Sequence, residues 1–374
     1  MASSCSPRRQ RRLGELWPPA TAAVFTLPLN RRVQAWSGIH VFASGMLALL
    51  SPLHVVPEFA LRAYNVPPSH DEASLVTPEG RRCQALFSLV ETSLEPLVQQ
   101  LRDCGFVYLA PGSAVDLEWI AAAEKKVRQM WAALKKDPAL VPQYATPIPA
   151  GGKRVDMVIP QQPSGAFNAS AFDHFAPALF ELLEASLGSA PPALQMMVVK
   201  NALRFSQTGN PETDGREQTW HDDSLPGLFD QQLGVAIALH DMHSGLIAVQ
   251  PGCFPPEGYH HRLDGEHGSG TAEPSCYTGS GYVPERLAAG TVLVHRARLR
   301  HRGLWNFGPE PTRFMLQLNV APRGGDWLGV LAEKTAHGRG RWGEIHAQHR
   351  AAFEQRLEVV KRRRDGGQMD KAEL

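Results

Sequence analysis

The stretch GTVLVHRARLRHRGLWNFGPEPTRFMLQLNV, residues 290–320, contains two apolar runs separated by a polar segment rich in turn-forming residues. Each apolar run has the length and composition of a β-strand, and no helical periodicity joins the two. The intervening turn contains His301-Arg302-Gly303, and Arg313 opens the second run. The stretch therefore predicts a strand, a turn that carries a histidine, and a strand that begins with an arginine.

Similar short apolar runs precede this stretch, at MMVVKNALRF (196–205), LGVAIALHDM (233–242) and LIAVQPG (246–252). Gly, Pro and Asn separate them and no strong helix intervenes, so the strands are expected to be antiparallel. The overall prediction is an α+β chain with a mainly β core. We expect a double-stranded β-helix, of jelly-roll or cupin-like type, with flanking N-terminal helices.

Those N-terminal helices are indicated by apolar spacing. Ala85 to Leu101 shows the i, i+3, i+4 pattern of an amphipathic helix, which Gly105 ends before a short strand from Phe106 to Leu109. Ser113-x-x-Asp116 is a capping box for a second helix, and Lys135-Lys136 suit its carboxyl end.

Composition and patterning suggest three parts: residues 1–74 as a leader, targeting or disordered segment with a linker, 75–330 as the β-rich domain with its helical preface, and 331–374 as a charged, exposed helix with a frayed end. Residues 1–32 hold six arginines and one acid, as in a transit peptide. Residues 33–57 carry no Lys, Arg, Asp or Glu, which leaves a disordered leader, a packed accessory segment and a membrane span as alternatives. No stable membrane insertion is expected, because polar residues interrupt this segment.

The net charge of +1 provides no global field for nucleic acid or membranes, so neither is an expected partner. The five cysteines include no CxxC pair, which argues against a zinc ribbon. A disulfide framework is not expected in a chain of 374 residues, so the prediction is an intracellular location, cytoplasmic or organellar. Oligomeric state leaves no signal in the sequence.

The motif TWHDD, residues 219–223, places a histidine two residues before an acid. His-x-Asp/Glu occurs twice in the chain, here and at His70-x-Glu72, which is about the number expected by chance. Two imidazoles and one carboxylate form the facial set of non-haem iron oxygenases. Residues i and i+2 of a strand face the same side, so this chemistry would use Asp223 rather than Asp222.

Four stretches in the same order resemble the phytanoyl-CoA dioxygenase-like branch of the iron(II)/2-oxoglutarate-dependent oxygenases, over roughly residues 93–324. They are LRDCGFVYLAPG, TWHDD, GVAIALHDMHSGLIAVQPGCF and GTVLVHRARLRHRGLWNFGPEPTRF. The resemblance implies that His221, Asp223 and His301 bind Fe(II) and that Arg313 anchors 2-oxoglutarate. His295 competes with His301 for the distal position, but its apolar strand context favours His301.

The chain departs from the family where Pro-Gly-Ser-His is usual, because Pro251 and Gly252 are followed by Cys253 and Phe254. A long insert, residues 255–284, holds three histidines that suit either a second metal site or a loop over the pocket.

Lys153, Arg154, His240 and Asn306 are possible substrate-pocket residues. A surface turn is the alternative for Lys153 and Arg154, and a structural role for His240 and Asn306. Trp220 is expected in the core.

The resemblance implies an Fe(II)- and 2-oxoglutarate-dependent dioxygenase that uses O₂ to hydroxylate a small organic substrate while 2-oxoglutarate is decarboxylated to succinate. A carboxylate at position 223 favours hydroxylation over halogenation. One alternative is a catalytically silent jelly roll that binds a ligand or a partner. Another is a metal-dependent oxygenase without 2-oxoglutarate, which Arg313 argues against.

Overall fold

The computed structural model describes residues 69, 71–147, 154–203, 220–223, 231–243, 247–254, 281–304, 312–324 and 340–372. Within them, seven strands form a mixed-length antiparallel sheet in the order β1-β7-β5-β9-β4-β3-β2. The strands are β1 Phe106–Leu109, β2 Ala145–Pro147, β3 Arg154–Met157, β4 Pro192–Leu203, β5 Leu233–Ala238, β7 Val292–Arg296 and β9 Thr312–Pro322. The predicted antiparallel β core is confirmed for these residues, because every pairing in the sheet is antiparallel.

Helices pack mainly against one face of this sheet. They are α1 Leu94–Asp103, α2 Leu117–Lys136, α3 Val141–Tyr144, α4 Pro177–Ser186 and α5 Gly340–Ala372. Alternate strand residues such as Val235, Val294 and Leu318 join Leu97 and Ile120 of the helices in one buried cluster. The two-residue period of the strands thus directs one set of side chains to the helices.

The other face of the sheet meets a second, smaller sheet, made of β6 Ile247–Val249 and β8 His301–Gly303. Phe106, Ala236 and Leu293 of the large sheet pack with Ile247 and Val249 of the small one. Isolated bridges extend the small sheet on both sides, from His221 to His301 and from Val249 to Tyr282. His301, expected in a turn, therefore lies on a strand, because its backbone pairs with both neighbours.

The first predicted helix is shorter than expected. The structure begins α1 at Leu94, whereas residues 85–93 form turns and a bridge in which Phe87 pairs with Leu109. Leu86 and Val90, assigned to the buried face by periodicity, are exposed by 47% and 83%. Backbone pairing with β1 prevails over helix periodicity here. The second helix is confirmed, but Asp116, not Ser113, is its N-cap.

The prediction of an exposed C-terminal helix is wrong for much of α5. Phe353 is buried against Phe172 and Phe180. Arg350 donates to the carbonyl of Leu194, so the helix covers the first part of β4, which does not pair with β3. Charged residues concentrate on the outer face of the helix, which conceals its buried stripe in the composition.

The expectation of no disulfide is also wrong, because Cys83 and Cys104 are joined, and Cys253 is disulfide-bonded as well. The Gln100 side chain helps to bring these two cysteines, 21 residues apart, next to each other. Its amide accepts from the backbone N–H of Gln84 and donates to the Gln84 carbonyl, which holds the turn next to the end of α1. Across the described residues, no helix is long and apolar enough to cross a bilayer.

Candidate metal centre

Three predicted ligands meet at the junction of the two sheets. One ligand atom each from His221, Asp223 and His301 lies within 4.8 Å of the others. Nε2 of His221 is 3.6 Å from Oδ1 of Asp223, and Nε2 of His301 is 3.5 Å from Oδ2. Two imidazoles and one carboxylate fit a divalent metal that prefers mixed nitrogen and oxygen ligands. The described part of the chain offers no second group of this kind.

Backbone hydrogen bonds fix this geometry. His221 and His301 exchange N–H to carbonyl bonds of 2.9 and 2.8 Å, so their side chains leave a pair of adjacent extended segments on the same side. The backbone N–H of Asp223 donates to the Ala297 carbonyl at 2.8 Å, just beyond β7. Asp223 is thereby tied to the turn that leads to the distal histidine.

The orientation of the His301 ring is set by its other nitrogen. Nδ1 lies 2.8 Å from the carbonyl oxygen of Leu299 and donates its proton there. Nε2 is then the nitrogen that faces Asp223, with a lone pair available for coordination when the ring is neutral. A carbonyl partner on the remote nitrogen is the usual way in which proteins orient a metal-binding histidine.

The three groups perturb one another electrostatically. Burial alone would raise the pKa of Asp223, but the charges of His301, His221 and Lys200 and a hydrogen bond from His301 outweigh it and hold that pKa well below its usual range. Burial would lower the pKa of His301, and the Asp223 carboxylate overcomes this and raises it. The carboxylate and the imidazole therefore each stabilise the charged form of the other.

His295, the competitor for the distal position, occupies a different place. It lies on β7, and its ring centroid is 4.9 Å from that of His301. Burial, with a smaller contribution from the charge of His301, lowers the pKa of His295 to about 3, so the ring is neutral. The structure places His301, not His295, with the His221 and Asp223 pair.

Arg313, the predicted cosubstrate anchor, is buried near the start of β9. Its guanidinium donates to the carbonyl of Leu304 at 2.8 Å. Leu304 follows His301 by only three residues, a span of roughly 10 Å in an extended chain. Met315, two residues further along β9, packs with the small sheet, so Arg313 lies on the same side of the large sheet as the ligand cluster.

The other candidates have mixed outcomes. His240 is buried, and its Nε2 accepts from the backbone N–H of Phe314, which gives it a structural contact next to Arg313. Arg154 is the first residue of β3. Lys153, Asn306 and the histidines of the insert lie outside the described residues. Trp220 is buried as expected, beneath the guanidinium of Arg302.

Sequence reasoning missed a polar group on the inner face of the sheet. Lys200 lies 3.9 Å from Asp156 and contributes to the low pKa of Asp223. A small cavity, with room for about one water molecule, adjoins Asp223 and His295, and Gln195 and Asn319 form part of its wall. Alternating polar residues within β4 and β9 were the available signal, but strand pairing was needed to bring them together.

Comparison with known proteins gives structural neighbours only. No family model and no curated sequence matches the chain. The non-heme alpha-ketoglutarate-dependent epimerase SnoN from nogalamycin biosynthesis is 20% identical over 61% of this chain and 83% of its own, with a TM-score of 0.43. AviO1 from Streptomyces viridochromogenes is 19% identical over 63% and 98%, with a TM-score of 0.40. The non-heme monooxygenase ThoJ is 17% identical over 60% and 77%, with a TM-score of 0.40. Such distant likeness leaves the chemistry to be argued from the residues of this chain.

Proposed function

We propose that this chain is an Fe(II)- and 2-oxoglutarate-dependent oxygenase that hydroxylates a small organic substrate. The observation that carries the proposal is the convergence of His221, Asp223 and His301, whose ligand atoms lie within 4.8 Å of one another. Three protein ligands leave coordination positions for a chelating cosubstrate and for O₂. The double-stranded β-helix is part of the same proposal, and it is supported by the two facing antiparallel sheets.

Each residue has a distinct task in this proposal. The two histidines and Asp223 hold the metal, and the carbonyl of Leu299 keeps Nε2 of His301 directed at the site. Bound iron would supply redox chemistry that couples oxidative decarboxylation of 2-oxoglutarate to oxygen insertion. The side chains alone cannot perform that reaction, so the protein contributes position, charge and shielding from water.

Arg313 distinguishes this function from metal chemistry without a diacid. A guanidinium can form two parallel hydrogen bonds with a carboxylate, which a lysine cannot reproduce. Its burial strengthens such an ion pair, because water competes less there. We therefore assign Arg313 to the carboxylate of 2-oxoglutarate that is remote from the metal.

The proposal is tested by succinate formation from 2-oxoglutarate in the presence of Fe(II) and O₂, together with metal content after dialysis. Wild type should bind about one metal ion and release succinate, and His221→Ala should do neither. His243→Ala, which removes an exposed histidine, is the matched control and should behave like wild type. Metal-independent ligand binding, with no succinate from wild type, would instead support the catalytically silent jelly roll.

A further inference from the structure

The outer face of the small sheet, which is the face turned away from the large sheet, carries a buried aromatic and cationic pair directly behind the metal ligands. Trp220 precedes His221 in the chain, and Arg302 follows His301. The two histidines pair in antiparallel fashion and side chains alternate along an extended chain, so Trp220 and Arg302 stand opposite each other on the outer face. The imidazoles and this pair therefore leave the same two segments in opposite directions.

The indole of Trp220 contacts the histidine-bearing segment on both sides of the distal ligand. The guanidinium carbon of Arg302 lies over the ring at 4.7 Å from its centroid, and that of Arg300 lies at 5.8 Å. All three residues are buried. A guanidinium is attracted to the π electrons of an indole, and the attraction is strongest where water is excluded. Because the two arginines flank His301, these contacts join the segment of one ligand to the segment of the other.

The edge of the indole is held by the backbone of Gly281. A Cβ atom at position 281 would collide with Cη2 of Trp220, so only glycine leaves room for the ring. Hydrogen bonds fix this piece of backbone, because Ser69 donates to the Gly281 carbonyl and Tyr282 exchanges bonds with Val249. The indole is thereby confined at its face by the arginine and at its edge by the glycine.

The way in which His221 is held gives this contact a consequence for the metal centre. His221 lies on an isolated bridge, in which two backbone hydrogen bonds join it to His301. An isolated bridge fixes a residue less firmly than a full strand ladder, so side-chain contacts next to it add to its rigidity. Ligands of a metal site must be held to within roughly 0.5 Å of their productive positions, and contacts behind them supply that precision.

We propose that Trp220 and Arg302 are positioning residues of the metal centre, which clamp the His221 segment to the His301 segment from the outer face. Both act through the backbone of the neighbouring histidine, because their own side chains point away from the metal. Their contact fixes the spacing of the two imidazoles before a metal binds. This inference rests on the proposed function, since it takes His221 and His301 to be metal ligands.

The test is calorimetric titration of the metal-free full-length protein with Mn(II), accompanied by urea unfolding of the same variants without metal. Arg302→Met keeps the aliphatic stem and removes the cation, and it should lower the affinity for Mn(II) about 10-fold, as the loss of an outer contact does in other metal sites. Trp220→Leu should lower it by a similar factor. Arg302→Lys retains a cation near the ring and should stay within about 3-fold of wild type. The double variant Trp220→Leu/Arg302→Met should bind about as well as either single variant, because each change already breaks the same contact.

Arg128→Met is the matched control. Arg128 lies over the ring of Phe314 at 5.5 Å, on the side of the large sheet that packs against the helices. The same substitution there removes a contact of the same kind away from the ligands. It should leave the affinity for Mn(II) unchanged, whatever it does to the free energy of unfolding.

The possible outcomes separate this inference from the proposed function. Wild-type affinity in folded Arg302→Met, or a loss in Arg128→Met as large as in Arg302→Met, would overturn the clamp and leave the metal centre standing. Additive losses in the double variant would show that the two residues do not act as a pair. If Trp220→Leu does not fold, Arg302→Met and Arg302→Lys decide the question, and equal losses in these two would contradict the clamp. A wild-type protein that binds no Mn(II) would defeat both proposals.

Discussion

Asp222 and Asp223 are adjacent and chemically identical, yet the backbone gives them different neighbours. The backbone N–H of Asp223 donates a hydrogen bond to the carbonyl of Ala297, and its carboxylate faces both His221 and His301. Asp222 contributes a nearby charge that helps to raise the pKa of His301. The two substitutions therefore separate coordination from general electrostatics.

Asp223→Ala should lower the affinity for Mn(II) or Fe(II) by at least about 100-fold, because the loss of a ligand exceeds the usual effect of an outer contact. Asp222→Ala should change the affinity by less than about 10-fold. Calorimetric titration of both variants measures the difference. Similar losses in the two variants would show that negative charge, rather than coordination, attracts the metal.

The pKa of His301 predicts how metal binding depends on pH. Only the neutral imidazole coordinates, and Asp223 raises the pKa of His301 above its ordinary value of 6.5. As pH falls through that raised pKa, the metal must displace a proton, so affinity should decrease by up to about tenfold per pH unit. The Asp223 carboxylate, whose pKa is well below 3.8, adds no competition near neutral pH. Mn(II) titrations between about pH 5.5 and 8.5 measure this, and a pH-independent affinity over that range would refute it.

At this scale the sequence predicted the three members of the cluster, because a histidine, an acid two residues later and a distant histidine have recognisable order and context. It could not exclude His295, since both histidines follow the same apolar run. The choice between the two histidines depends on which imidazole faces Asp223. The bend of the chain between β7 and β8 decides this, and the sequence does not show that bend.

At the scale of elements, β5 shows how one strand shapes the site. Its residues Val235 and Ile237 pack toward the helices, while Gly234 faces His295. The sequence predicted the strand from its apolar run, and the glycine resembled a harmless interruption. The role of this glycine depends on the pairing of β5 with β7, which sets Gly234 opposite His295.

Gly234→Ala should destabilise the protein by about 1–3 kcal/mol, because the methyl group and the imidazole cannot share the space. His295→Ala removes the obstruction, so Gly234→Ala should cost much less in that background. Urea unfolding of the two single variants and the double variant measures the coupling. Additive losses would mean that the Gly234 and His295 side chains do not interact.

Other elements were harder to predict because two patterns compete. Residues 85–93 follow helical periodicity, but Phe87 forms backbone hydrogen bonds with Tyr108 and Ala110 instead. Pairing with a strand satisfies buried backbone groups that a helix in this position would not. Similarly, α5 has many charged residues, and only the positions of its aromatic rings show that one stripe of the helix is buried.

On the scale of the whole molecule, the disulfide ties the N-terminal turns to the end of α1. The Cys83–Cys104 bond closes a loop of 21 residues. Its reduction should lower the free energy of unfolding by about 2–4 kcal/mol, mainly by freeing the unfolded chain. Thermal unfolding with and without dithiothreitol should show a lower Tm on reduction. Cys83→Ser/Cys104→Ser should have a lower Tm than wild type and a smaller response to reductant.

The composition could not indicate this bond, because five cysteines in a chain of this length allow free thiols equally well. The antiparallel β core, by contrast, was predictable from short apolar runs with turn residues between them. The cavity next to Asp223 was not, since its lining comes from separate strands and loops. Local patterns determine elements, whereas the enclosed site depends on how distant elements pair.

The most direct test of the metal centre is an anaerobic calorimetric titration of the Fe(II)-loaded protein with 2-oxoglutarate. We predict one binding site that requires iron and is weakened at least about 10-fold in Arg313→Leu, with Arg313→Lys between the two, because only arginine forms the paired hydrogen bonds. Arg323→Leu, at the far end of β9, should match wild type. Binding that is equally strong without iron, or unchanged in Arg313→Leu, would contradict the account.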